Sequence, residues 1–209
     1  MRTESTFAQS IREKRQLLIN LLDREPDRKK VVKAALECVR SVFPLLKYTA
    51  TFSGITERKG LQRDVDVVES WLKASHDEYV LNHLKFNREL VPWHGTGMIG
   101  WHANCAVLEL FASIAPINTS MAYLRHPGDI TEYDTVYGWA CDRVRGECDR
   151  KFSAPFWAIH HAIQAHICHR IESASWLEHK FLWRRLEENA TMESTNKITV
   201  IVCKTLNTT

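Results

Sequence analysis

Histidine and cysteine are the residues of this 209-residue chain that could carry chemistry, ten and six of them respectively. Imidazole and thiolate ligate zinc and other transition metals, and either becomes a catalytic group when a neighbouring side chain tunes it. The densest group is His160, His161, His166, His169 and His179, with Cys168 and Glu172 among them. On a helix His166, His169 and Glu172 follow one another at a spacing of three, so adjacent members could share an ion. That makes a metal-dependent helical enzyme one reading of the chain. The rest of the required pattern is missing. Carboxylate-bridged di-iron bundles need Glu-x-x-His on each of two helices, and Glu-x-x-His occurs nowhere in the sequence. A zinc knuckle from Cys141, Cys148, His161 and His166 would need its ligands to face one point, whereas the residues between them read as helix. His76 and His83 share a helical stripe, but seven residues separate their Cα atoms by about 10.5 Å along the axis, too far to clasp one metal ion.

Other catalytic patterns fare no better. There is no Gly-x-Ser-x-Gly elbow, no P-loop and no His-Glu-x-x-His. Cys168 and His169 are adjacent, which on a helix points them about 100° apart. Asp64, Asp66 and Glu69 lack the spacing of a magnesium or calcium loop. Gly95, Gly97 and Gly100 match G-x-G-x-x-G, yet no strand precedes them and no β-α-β unit follows, so they read as a bend between Trp93 and Trp101. No catalytic residue, metal ligand or cofactor is assigned.

Charge is the second source of function. The formal net charge is only +3, but residues 1–47 hold eleven Lys and Arg against six Asp and Glu. Placed on helices, Arg12, Lys14, Arg15, Lys29, Lys30, Lys33 and Arg40 would form a basic ridge suited to phosphates, which such side chains neutralise with release of counterions. The competing reading is a solvated face with pairs such as Lys33 and Glu37 at i,i+4.

The elements that must position these residues read as helices. Eight glycines and six prolines are too few for a turn-dense β-sandwich. Phe7, Ile11, Leu18 and Leu22 mark a helix over 5–22, joined by Leu17 and Leu21. Val31, Val32, Ala35, Leu36, Val39, Val42 and Phe43 mark a second over 27–43, which Pro44 should stop or kink. A third runs from Thr56 towards Leu90 with Leu61, Val65, Val68 and Leu72 inward, an apolar one covers about 100–114, and another follows Thr131.

The longest pattern is Ser153–Leu186, with Ser153 as its cap and Pro155 in its first turn. At 100° per residue, Phe156, Ile159, Ile163, Ile167, Ile171, Ala174, Leu177 and Phe181 fall within an arc of roughly 120°. The opposite face carries His161, Ala165, Cys168, Glu172, Trp176, His179 and Trp183. Such a helix can lie between two helical layers, or it can expose Trp176, His179 and Trp183 as an interface for self-association or for stacking on unpaired bases beside Lys180, Arg184 and Arg185. A kink is expected at 173–175. Residues 190–209 read as a polar, extended tail, because Ile198-Thr199-Val200-Ile201-Val202 is β-prone.

The start of the chain shows no secretory signal, and the cysteines show no disulfide framework, which points to an intracellular protein of the cytoplasm or nucleus. The nearly uncharged run 92–124 contains His102, Asn104 and Glu109 and reads as a core helix, so no membrane is assigned as partner. The expectation is an all-α single domain over 1–209. About six helices would surround a long C-terminal helix, with a short extended tail at 190–209. Its expected function is non-enzymatic: a self-associating protein, a homo-oligomer, that binds nucleic acid, RNA ahead of DNA, through the basic N-terminal helices. A protein-interaction or scaffold module is the first alternative, and the metal-dependent helical enzyme the second.

Overall fold

The computed structural model describes residues 6–48, 54–74, 97–114 and 150–207, and over these the chain is all-α with no strand. In order, the helices are α1 (Thr6–Arg24), α2 (Arg28–Arg40), a 3-10 turn (Phe43–Tyr48), α3 (Gly54–Ala74), α4 (Gly97–Ala112), α5 (Arg150–Glu172), α6 (Trp176–Phe181) and α7 (Trp183–Asn207). The expectations for 75–96 and 115–149 lie outside the described residues; they concern His76, His83, the helix after Thr131, Cys141 and Cys148.

Local chemistry explains several boundaries. Asp27 caps α2 by accepting the Lys29 amide at 2.8 Å, and Glu25 accepts the Asp27 amide at 3.0 Å, so two donors at the helix start are satisfied. The proline at 44 falls in the tight 3-10 turn rather than in α2, which ends at Arg40. α5 begins at Arg150, ahead of the expected cap at Ser153, and Pro155 lies inside it.

α5 is the centre of the packing. It lies against α4 most extensively, and it also contacts α7 and α2, while α1 packs on α7. Ala158, Ala162 and Ala165 of α5 are completely buried, as is Ala106 of α4. Side chains this small let helices approach closely, and Ile159 and Ile163 fill the space around them. Each such isoleucine contributes about 1.5–3 kcal/mol by burial. The expected inner stripe of α5 is therefore present from Phe156 to Ile167, with Ile171 partly buried at its end. The opposite face is covered too at Ala165, so this part of the helix sits between two layers.

Beyond Ile171 the expected stripe fails. The long helix ends at Glu172, where a kink was expected, and Ala174 N–H donates to the Ile171 carbonyl at 3.1 Å to close the turn. Ser175 starts α6 with a capping box: its hydroxyl accepts the Glu178 amide, and the Glu178 carboxylate accepts the Ser175 amide at 2.9 Å. A fresh cap resets the helical phase. Leu177 and Phe181 thereby lose their alignment with Ile163 and stand 60% and 66% exposed.

The extended tail is also corrected, since 183–207 is one helix. Its buried side chains include Leu186, Ala190, Ser194, Ile198, Val202 and Leu206, an i,i+4 ridge. The β-branched residues that suggested a strand are accommodated because packing overrides propensity. Thr191, Thr199 and Thr205 each donate their hydroxyl to the carbonyl four residues back, at 2.8, 2.8 and 2.9 Å.

Candidate interaction surface

α5 and α7 pack on one another, and the connection between them, with α6 at its middle, closes one end of the pair. No residue from 172 to 185 is buried, although the stretch contains Trp176, Leu177, Phe181, Leu182 and Trp183, at 66%, 60%, 66%, 48% and 48% exposure. Isolated exposed apolar residues are ordinary on a protein surface, whereas five within eight residues, two of them tryptophans, are a denser set than usual. Full burial of each leucine or phenylalanine is worth about 1.5–3 kcal/mol, and roughly half of that remains unrealised here.

These side chains are held in a defined arrangement. The Trp176 and Phe181 rings meet edge to face with centroids 6.3 Å apart, and the Lys180 ammonium sits 4.6 Å from the Trp176 centroid and 5.2 Å from that of Phe181. His179 stacks on Trp183 at 5.5 Å. The capping box fixes the start of α6, and Arg170 reaches the Glu178 carboxylate at 3.4 Å. Hydrogen bonds from Ser175, with Arg170 adding its charge, hold Glu178 below the usual carboxylate range. At the other end the Leu182 amide donates to the Glu178 carbonyl and the Leu186 amide to that of Leu182, so α6 runs almost directly into α7. The tip thus holds its apolar side chains in a defined arrangement, with Arg185 exposed beside it and Arg184 exposed but paired with Glu188 at 3.1 Å. No family model, no curated protein and no solved structure matches this chain.

Of the residues expected at an interface, Trp176 and Trp183 are exposed and His179 is half-buried, stacked on Trp183. Leu177, Phe181 and Leu182 belong to the same surface. The sequence pattern assigned the first two to the core stripe, and only the new cap at Ser175 takes them out of it.

The basic residues differ in exposure and in what they bind. Arg15 is buried at 5% exposure and offers no phosphate contact. Arg40 is paired with Glu37 at 2.7 Å and with Glu69 of α3. Lys29 donates to the Leu72 carbonyl at 3.2 Å and lies 5.9 Å from the Trp71 ring centroid, so it ties α2 to α3. Lys14 and Lys30 are half-buried, and Arg12 and Lys33 are exposed. Of the seven cations, only Arg15 is withdrawn from the surface.

The histidines cluster differently from their spacing on α5. His102 of α4 and His161 of α5 meet with their Nδ1 atoms 3.2 Å apart, one ring donating to the other, and Trp101 packs edge-on against both. His160 lies beside His161, with ring centroids 5.4 Å apart. Burial, and then the neighbouring His161, push His102 and His160 well below the ordinary imidazole value, so both are neutral. His166 bonds Ser41 Oγ at 2.9 Å; burial first, then Lys197 and His169, lower it to about 4. Burial pushes the Cys105 and Cys168 thiols up to about 12, which keeps them protonated. His102 could not have been paired with His161 from sequence, because they are brought together only by the packing of α4 on α5. Among the described residues no group of three or more His, Cys, Asp or Glu could hold a metal ion, and no helix is long and apolar enough to cross a membrane.

Proposed function

We propose that this chain is a non-enzymatic binding protein that docks through its 176–185 tip. One observation carries the reading: five large apolar side chains, each about half exposed or more, lie together on a capped, ordered segment that adds nothing to the core. Rimmed clusters of this kind are characteristic of surfaces that a partner covers. Self-association through Trp176, His179 and Trp183 is one form of this docking. The test is a variant in which Trp176, Leu177, Phe181 and Trp183 are all serine. It should keep the parent's helicity and melting temperature while losing concentration-dependent association in light scattering or binding to a presented surface. A variant that unfolds early, or that associates as the parent does, contradicts the reading.

Nucleic-acid binding, RNA ahead of DNA, is a second reading, supported by the charge surplus of residues 1–47 and the exposure of Arg12 and Lys33. It calls for affinity that falls steeply with salt. Charge reversal at Lys30 and Lys33 should abolish RNA retention with helicity intact, and unchanged retention counts against it.

A further inference from the structure

We propose that His102 and His161 form a proton-operated latch that holds the first turns of α4 on α5 and releases them on acidification. The contact itself sets the rule. The two Nδ1 atoms face each other at 3.2 Å, and a hydrogen bond there needs one nitrogen that carries a hydrogen and one that does not. Two neutral rings satisfy it, and so does one imidazolium donating to a neutral partner. Two imidazoliums cannot, because both nitrogens then carry a hydrogen and the rings carry like charges. The latch therefore tolerates one added proton and breaks on the second, which belongs to the pair rather than to either ring.

The surroundings oppose that second proton. His102 is 7% exposed, so a charge on it is poorly solvated. Trp101 packs edge-on against both rings, and His160, itself buried, lies beside His161. From α1 the Arg15 guanidinium adds positive charge at His160. Charged groups on the other neighbouring elements are engaged elsewhere. Arg28 of α2 donates to the Ser113 carbonyl, just past the far end of α4. Lys197 of α7 acts on His166, and Glu109 of α4 acts on Cys105. The buried Asp64 of α3 is not among the groups that shift His102 or His160.

Position in the helix makes the contact a local device. His102 stands in the second turn of α4, whose first turn contains Gly97 and Gly100. Glycine is the poorest helix former after proline, so this end is held by tertiary contacts more than by its own propensity. Opening would uncover Ile99, now 2% exposed, and Trp101. The sign follows from burial. His102 binds a proton more weakly in the fold than in the unfolded chain, so the latch contributes in full above pH 6.5 and is lost as pH falls below that value.

The experiment is amide hydrogen exchange of the full chain at pH 7, 6 and 5, each corrected for the intrinsic rate. Between pH 7 and pH 5, protection over 98–105 should fall at least about tenfold, and by more than protection over 156–167. His102→Gln, whose amide can donate to His161 or accept from it and takes up no proton, should abolish that difference, whereas His166→Phe should leave it in place. Equal loss over the two stretches, no loss over 98–105, or a parent-like response in His102→Gln overturns the inference. Should His102→Gln fail to fold, the parent's slope decides. One linked proton gives a loss over 98–105 of about tenfold from pH 6 to pH 5 beyond any loss over 156–167, and the absence of that slope overturns the latch.

Discussion

Two halves of one sequence pattern behave oppositely in this protein. From Ala154 to Ile167 the stripe expected along Ser153–Leu186 is core, and even the opposite face is covered at Ala165. From Glu172 to Arg185 the same spacing of apolar residues leads outward, and none of them is buried. The difference arises at one local device, the turn at 173–174 and the capping box of Ser175 with Glu178, which ends one helix and restarts another in a different phase. Hydrophobic periodicity therefore reports burial only as far as the helix that carries it continues.

The contrast can be broken most strongly in the core half. Ile163→Ala should cost about 2–5 kcal/mol in denaturant unfolding, because it empties a site that is 2% exposed. A loss below about 1 kcal/mol would mean that α5 is not the packing centre.

Acidification should act on the same half. His166 is held at about 4 against an ordinary value of 6.5. Between those values the unfolded chain binds the extra proton, so the stabilisation is present in full above pH 6.5 and drains away as pH falls towards 4. The expected loss is on the order of 2–3 kcal/mol. His102 and His160, also held neutral by burial, act in the same direction. Unfolding curves at pH 7 and pH 5 check this, and His166→Phe should flatten the dependence. Equal stability at the two pH values would contradict the assignment.

At the junction, Ser175→Ala removes the cap of α6 and should cost about 1 kcal/mol, read as faster amide exchange at 176–181 with the core amides unaffected. The smallest effect belongs to the tip itself, where Leu177→Ser or Trp176→Ala should change stability by no more than about 0.5 kcal/mol.

Much of the fold was legible. The helices at 5–22 and 27–43, the apolar helix near 100–114 and the break at 173–175 follow from stripes and turn residues, and the structure places them within a few residues. The C-terminal helix was not legible. Its buried face includes Ala190, Thr191, Ser194 and Thr195, which give little hydrophobic signal, and its apolar run at 198–202 is β-branched throughout. Only contact with α1, α2 and α5 makes it helical. At the surface, Trp176 and Trp183 were recognisable by type, whereas Leu177 and Phe181 required knowing where the helical phase resets. The basic residues were legible as a count, but their individual partners were not: Arg15 turns inward, and Arg40 and Lys29 bind other parts of the chain.

The central claim is that the apolar residues of the tip serve contact with a partner and not the fold. Its most direct test is the melting temperature of the variant with serine at 176, 177, 181 and 183. The account predicts a value within about 2 °C of the parent, as for substitutions on an exposed surface. A fall of about 8 °C or more, the size expected when core packing is lost, would contradict it.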